Sequence, residues 1–72
     1  MNTPEAIALL RAHPKLTITP KIMSTIFDCA PYWYNVAAKA GELRWPHEWH
    51  GRNLRIFKQP VIDYLEGKRD AP

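Results

Sequence analysis

Two sets of residues have the types and spacing for chemistry. The first is a run of cations. Between positions 44 and 58 the chain carries Arg44, Arg52, Arg55 and Lys58 against Glu48 alone, a net charge of +3. Residues 1–43 amount to +1 and residues 59–72 to −1, so this segment accounts for the net charge of +3. His47 and His50 fall in the same segment, and histidine gains charge in mildly acidic solution. Such a concentration suits an anionic partner, nucleic acid first among them. The second set is Tyr32, Asn35 and Lys39. Spacings of three and four put them on one face of a helix. Asn pairs bidentately with adenine, Tyr suits a phosphate or a thymine methyl, and Lys reaches phosphate or guanine. The alternatives are a solvated hairpin for the first set and a ligand-free surface for the second.

Other chemistries lack their residues. His47, Glu48 and His50, with or without Cys29, match no tetrahedral zinc pattern, which needs four ligands in tight pairs. The chain has no Gly-rich phosphate loop and no Gly-x-Ser-x-Gly nucleophile turn. Cys29 is expected to pack as a small hydrophobe between two helices. As a nucleophile it would need a base and an orienting group. A chain of 72 residues has little room for a substrate pocket of the usual ~300 Å³ or more. The expectation is a non-catalytic protein with no metal and no cofactor.

The elements that must position these residues follow from proline, glycine and apolar spacing. Thr3-Pro4-Glu5 predicts a helix over 4–13, with Thr as cap, Pro first and Glu at the positive end of the dipole. Pro14 stops it, and His13 is read as a helix-end cation or an exposed ring. Leu16-Thr17-Ile18 is a short extended stretch. Thr19-Pro20 repeats the cap-and-proline signal, and Ile22, Met23, Ile26 and Phe27 form one apolar stripe. Pro31 restarts a helix that Gly41 ends. Two short helices about three residues apart, within 20–41, have helix-turn-helix spacing. Pro46 forbids a helix interior beyond them. Residues 44–49 and 54–57 read as the arms of a hairpin reversing at His50-Gly51-Arg52-Asn53. Arg55 alternates away from Leu54 and Ile56 and should face outward. Gln59-Pro60 opens a closing helix over 60–66, and residues 68–72 should fray.

Length and composition set the outer bounds. Seventy-two residues and 8.4 kDa fit one domain, 1–72, with a marginal core. A hydrophobic fraction of 46% is too high for simple disorder. Three Trp, three Tyr and two Phe are expected mostly inside, with Trp33 and Tyr34 as packing residues. The longest stretch without charge, residues 29–38, contains Pro31 and falls far short of the ~20 apolar residues of a membrane span. The start lacks a signal-peptide pattern, and a single cysteine forms no intrachain disulfide. A cytoplasmic, nucleoid-associated protein is expected.

From Leu16 to Gly67 the chain resembles the small winged helix-turn-helix of phage and transposon excisionases, which is similar to the DNA-binding part of the MerR regulators. Leu16-Thr17-Ile18-Thr19-Pro20 resembles the family's opening, a short strand feeding a capped helix. Ala37-Ala38-Lys39-Ala40-Gly41-Glu42-Leu43 resembles the end of the recognition helix and its Gly-Glu-Leu exit. Gly51-Arg52-Asn53-Leu54-Arg55-Ile56 resembles the wing tip and returning strand. Pro60-Val61-Ile62-Asp63-Tyr64-Leu65-Glu66-Gly67 resembles the closing helix. The helix over 4–13 lies outside the match as an extension.

The resemblance implies a mainly α (α+β) winged helix-turn-helix with a short two-stranded wing. It implies an excisionase-like directionality or architectural factor that binds and bends double-stranded DNA, self-associates cooperatively and acts with an integrase or recombinase. The alternatives are a small MerR-like transcriptional regulator, or a protein-interaction module of the same fold. The implied DNA contacts are Tyr32, Asn35 and Lys39 in the major groove. Arg52, Asn53 and Arg55 would lie on the wing, and Arg44 and Lys58 would flank it. The family's recognition helix usually carries several Arg or Lys. Here Lys39 stands alone, so the wing carries most of the expected charge.

Overall fold

Proline and glycine punctuate the chain, and the structure follows them closely. A computed structural model describes residues 1–67; the tail expected to fray lies outside the described residues. The elements run α1 (Thr3–Ala12), β1 (Thr17–Ile18), α2 (Pro20–Phe27), α3 (Pro31–Lys39), β2 (His47–His50), β3 (Asn53–Phe57) and α4 (Lys58–Leu65). Among the described residues this is a small α+β protein with four helices and a three-stranded antiparallel sheet. The sheet order is β1-β3-β2. No helix among the described residues is long and apolar enough to cross a membrane.

Local chemistry accounts for most boundaries. The α1 start differs by one residue from the sequence expectation. Asn2, not Thr3, is the N-cap, and it forms a capping box with Glu5. The Glu5 amide donates to Asn2 Oδ1 at 2.9 Å, and the Asn2 amide donates to Glu5 Oε1 at 3.1 Å. Each bond satisfies an amide that the helix cannot. Thr19 caps α2 as expected, accepting from the Ile22 amide at 3.3 Å. Asp28 then takes the left-handed conformation at φ 56°, which turns the chain towards α3. Gly41, at φ 73°, closes α3 in a Schellman motif. Its amide donates to Ala38 O at 3.1 Å, and the Glu42 amide donates to Ala37 O at 2.8 Å. The closing helix starts at Lys58, earlier than Gln59-Pro60 suggests. Pro60 is harmless there because first-turn amides have no intrahelical acceptor.

The core is built on the inner face of β3. Leu54 and Ile56 point inward, with Leu10, Ile18, Met23, Tyr34, Ala38, Trp45, Val61 and Ile62 around them. The N-terminal helix belongs to this core: Ala6 and Leu10, four apart, are 1% and 0% exposed. Two further ties hold α1 and its exit. Arg11 pairs with Glu66, the C-cap of α4, and the Lys58 ammonium donates to the His13 carbonyl. His13 is half-buried at the C-cap, and its Nδ1 accepts from the Lys15 amide at 3.2 Å.

The aromatic residues do not all go inside. Trp45 is buried, with ring centroids 5.7 Å from Phe27 and 5.4 Å from Tyr64. Tyr34 is buried, and its hydroxyl makes a long bond to Met23 O at 3.5 Å. Trp33, expected as a packing residue, is 57% exposed, and Tyr32 is 67% exposed. Cys29, expected to pack, is exposed as well. Both corrections have one cause. The core is met only by the Tyr34 and Ala38 side of α3, while Cys29 lies in the exposed turn before it and Trp33 projects to the side.

Two outcomes follow. Leu10→Ala should lower stability by about 2–5 kcal/mol, read as a shift in the urea midpoint; an unchanged midpoint would mean α1 is not part of the core. Burial, and secondarily the Cys29 thiol, raise the Tyr34 hydroxyl above its ordinary value of 10.0. Above that value the unfolded chain ionises first, so stability should fall as pH rises beyond 10. Tyr34→Phe should flatten that fall in denaturation curves taken at successive alkaline pH values.

Candidate nucleic-acid interface

The sequence-predicted site residues divide into two groups in space. Asn35, Lys39, Arg52, Asn53 and Arg55 come together where α3 faces the β2–β3 hairpin. Two open clefts lie along that seam. One, of about 420 Å³, is lined by Thr19, Pro20, Asn35, His50, Arg52, Asn53, Leu54 and Arg55. The other, of about 590 Å³, is lined by Ala38, Lys39, Trp49, Gly51 and Arg52. Arg52 borders both, while Asn35 and Lys39, one helical turn apart, take one each. Arg44 and Lys58 line neither.

The hairpin holds Arg52 at its extreme tip. β2 and β3 pair in register, with His47 opposite Ile56, Glu48 opposite Arg55, Trp49 opposite Leu54 and His50 opposite Asn53. Only Gly51 and Arg52 remain to reverse the chain. Gly51 takes φ 65°, where a side chain would strain, and Arg52 does not share that sign. This is the pattern of a type II′ turn, whose twist suits paired strands. Arg52 and Lys39 are exposed, and neither side chain forms a hydrogen bond or ion pair with another described residue.

The remaining cations are held by the protein itself. Arg55 lies on the outer face of the sheet, as alternation requires, but it is half-buried rather than free. Its Nε donates to Thr17 Oγ1 at 3.1 Å and a terminal nitrogen donates to Thr17 O at 3.2 Å. It thus clasps β3 to β1. Lys58 is half-buried and directed to the His13 carbonyl. Arg44 sits over two rings, 4.9 Å from the Trp45 centroid and 5.0 Å from that of Tyr64, a cation–π placement. Its exposed guanidinium lies beside α4, away from the α3–hairpin seam.

The α3 residues differ in freedom. Asn35 is half-buried, and its amide nitrogen donates to Pro31 O at 3.4 Å, a weak bond along the helix. Tyr32 shares its face but lines neither cleft; its ring lies 5.4 Å from Trp33, edge to face. Comparison with family models, curated proteins and solved structures finds no match. The residues themselves therefore carry the functional argument. Sequence reasoning missed two contributors. His50 lines the smaller cleft and bonds Glu48 through Nε2. Trp49 is 37% exposed on the Leu54 side of the hairpin and lines the larger cleft. Alternation from Leu54 across the hairpin was the available signal for both. Among the described residues no group of three or more His, Cys, Asp or Glu is arranged to hold a metal.

Chemically, the seam offers an exposed guanidinium, an ammonium, two amide side chains and an imidazole around two open clefts. Such a surface suits a polyanion that is gripped from two sides. Arg55 acts instead as a structural tie. Arg55→Ala should lower stability by about 1–3 kcal/mol, and Thr17→Val should lower it with little further loss in the double variant. Thermal unfolding of the four proteins tests this cycle; additive losses would break the assignment.

Proposed function

We propose that this protein is a non-catalytic winged helix-turn-helix that binds double-stranded DNA, with α3 in the major groove and the β2–β3 hairpin as the wing. One observation carries the reading: two cations whose side chains have no partner among the described residues, Lys39 and Arg52, stand at the α3–hairpin seam with Asn35 and Asn53 beside them. The topology supports it. An α-β-α-α-β-β order with a β1-β3-β2 sheet sets a helix pair beside a protruding hairpin, the arrangement that lets one helix enter a groove while the hairpin reaches the next. The resemblance to excisionases makes a DNA-bending recombination directionality factor, working with an integrase, the specific form of this proposal. A small transcriptional regulator would use the same surface.

The exposed Tyr32–Trp33 pair favours a second reading, a protein-interaction module of the same fold. Salt dependence separates the two. Each phosphate contact contributes about 0.9 to the slope of log affinity against log salt. Lys39 and Arg52 together predict a slope near −2, shallower than a surface on which Arg44, Arg55 and Lys58 also reached phosphate. Fluorescence anisotropy with mixed-sequence duplexes over a salt series measures it. Arg52→Ala should weaken binding to all sequences and reduce the slope by about 1. Asn35→Ala should mainly relax base preference, whereas Lys15→Ala, an exposed control, should change neither. Absence of salt-sensitive binding would transfer the case to the interaction module.

A further inference from the structure

The outward face of α3 is apolar where a DNA-reading helix commonly carries arginine. Successive helical residues are turned by about 100°. Tyr34 and Ala38 point to the core, so the opposite side presents Tyr32, Val36 and Lys39. Tyr32 is 67% exposed and Val36 36%, and the helix contains no arginine. Trp33 meets the Tyr32 ring edge to face and so limits its swing. Tyr32, Val36 and Trp33, itself 57% exposed and in ring contact with Tyr32, form one contiguous exposed apolar strip rather than scattered residues, and such patches mark interaction surfaces.

We propose that this strip reads thymine methyl groups in the major groove, making the protein selective for A·T-rich duplex DNA. The inference rests on the DNA-binding reading above. The occupant must satisfy two neighbours at once. Lys39 lies on the strip itself, and Arg52 borders the same cleft as Lys39. A partner that offers both apolar groups to Tyr32 and Val36 and negative charge to the neighbouring Lys39 and Arg52 matches this surface best. The major groove of A·T sequence does so: the C5 methyl of thymine is its apolar feature, and phosphates border it. The polar residues beside the strip agree. Asn35 suits adenine, the partner base of thymine. Arg52, alone on the tip of a two-residue turn, suits the narrow minor groove of A·T tracts. Arginine and lysine are the usual readers of guanine; α3 has no arginine, and its one lysine, Lys39, is assigned to phosphate beside Arg52.

The test removes or adds only the methyl group. Binding is measured by anisotropy competition with four alternating duplex copolymers: poly(dA-dT), poly(dA-dU), poly(dG-dC), and poly(dG-dC) with 5-methylcytosine. Uracil lacks the thymine methyl, and 5-methylcytosine carries one at the same ring position. Wild type should prefer the methylated member of each pair by about fourfold per methyl contacted. Val36→Ala and Tyr32→Ala should bring both ratios towards one. Both positions are exposed, so circular dichroism should report unchanged folding. Arg52→Ala should weaken all four complexes while keeping the ratios. Salt-sensitive binding with equal affinity for thymine and uracil duplexes would overturn the methyl-reading inference and leave the DNA-binding reading standing. Failure to bind any of the four would overturn both.

Discussion

Everything in this fold depends on β3 being paired on both edges. Ile56 is the residue where the two ladders meet: it lies opposite Ile18 of β1 and opposite His47 of β2, and it is fully buried. β1 contributes only Thr17 and Ile18, so the short ladder that pairs them with Phe57 and Ile56 joins the segment leading into α2 to the hairpin through the sheet. Alternation then fixes the two faces. Leu54 and Ile56 enter the core, and Asn53 and Arg55 point away from it. A slip of one residue would put Arg55 into the core. The Arg55–Thr17 clasp supports the correct register from the outer face, next to the rung it stabilises.

This arrangement sorts the cations by role. Arg11, Arg55 and Lys58 fasten one segment to another, and Arg44 covers an aromatic corner formed by Trp45 and Tyr64. At the α3–hairpin seam, Lys39 and Arg52 are left with side chains unbonded to other described residues. The charge density of residues 44–58 therefore overstates what a ligand would meet. The same segment has to enter the core, pair twice and turn into α4 within fifteen residues, and its long basic side chains help to do so.

The helices were legible in the sequence because local chemistry determines them. Thr19-Pro20, Pro31 and Gly41 each act within a single turn, and the structure puts boundaries at all of them. The hairpin was legible because Gly51 sits between a polar arm and an alternating one. Cap choice between Asn2 and Thr3 was not, since both residue types suit the role and only the reciprocal bond to Glu5 decides it. Side-chain destinations were less legible still. Alternation put Arg55 on the outer face correctly, but no local signal indicates Thr17, thirty-eight residues away, as its acceptor. Trp33 and Cys29 were expected inside on residue type alone, whereas exposure depends on which side of α3 meets the core, and only Tyr34 and Ala38 do. For the candidate site, the α3 face and the hairpin tip could be named from sequence, but their separation from Arg44 and Lys58 required the tertiary structure.

The hairpin tip has a further consequence in terms of entropy. A longer loop would let Arg52 sample many positions, and any ligand would have to freeze them on binding. Two residues between paired strands leave little backbone freedom to lose. The guanidinium is held at the end of a short, nearly rigid arm, free to swing only about its own side-chain bonds. Its contribution to a complex thus comes partly from disorder already removed when the chain folded. Lengthening the turn with flexible residues would preserve every charge and still weaken the grip, because the ordering now completed during folding would have to take place at the moment of contact.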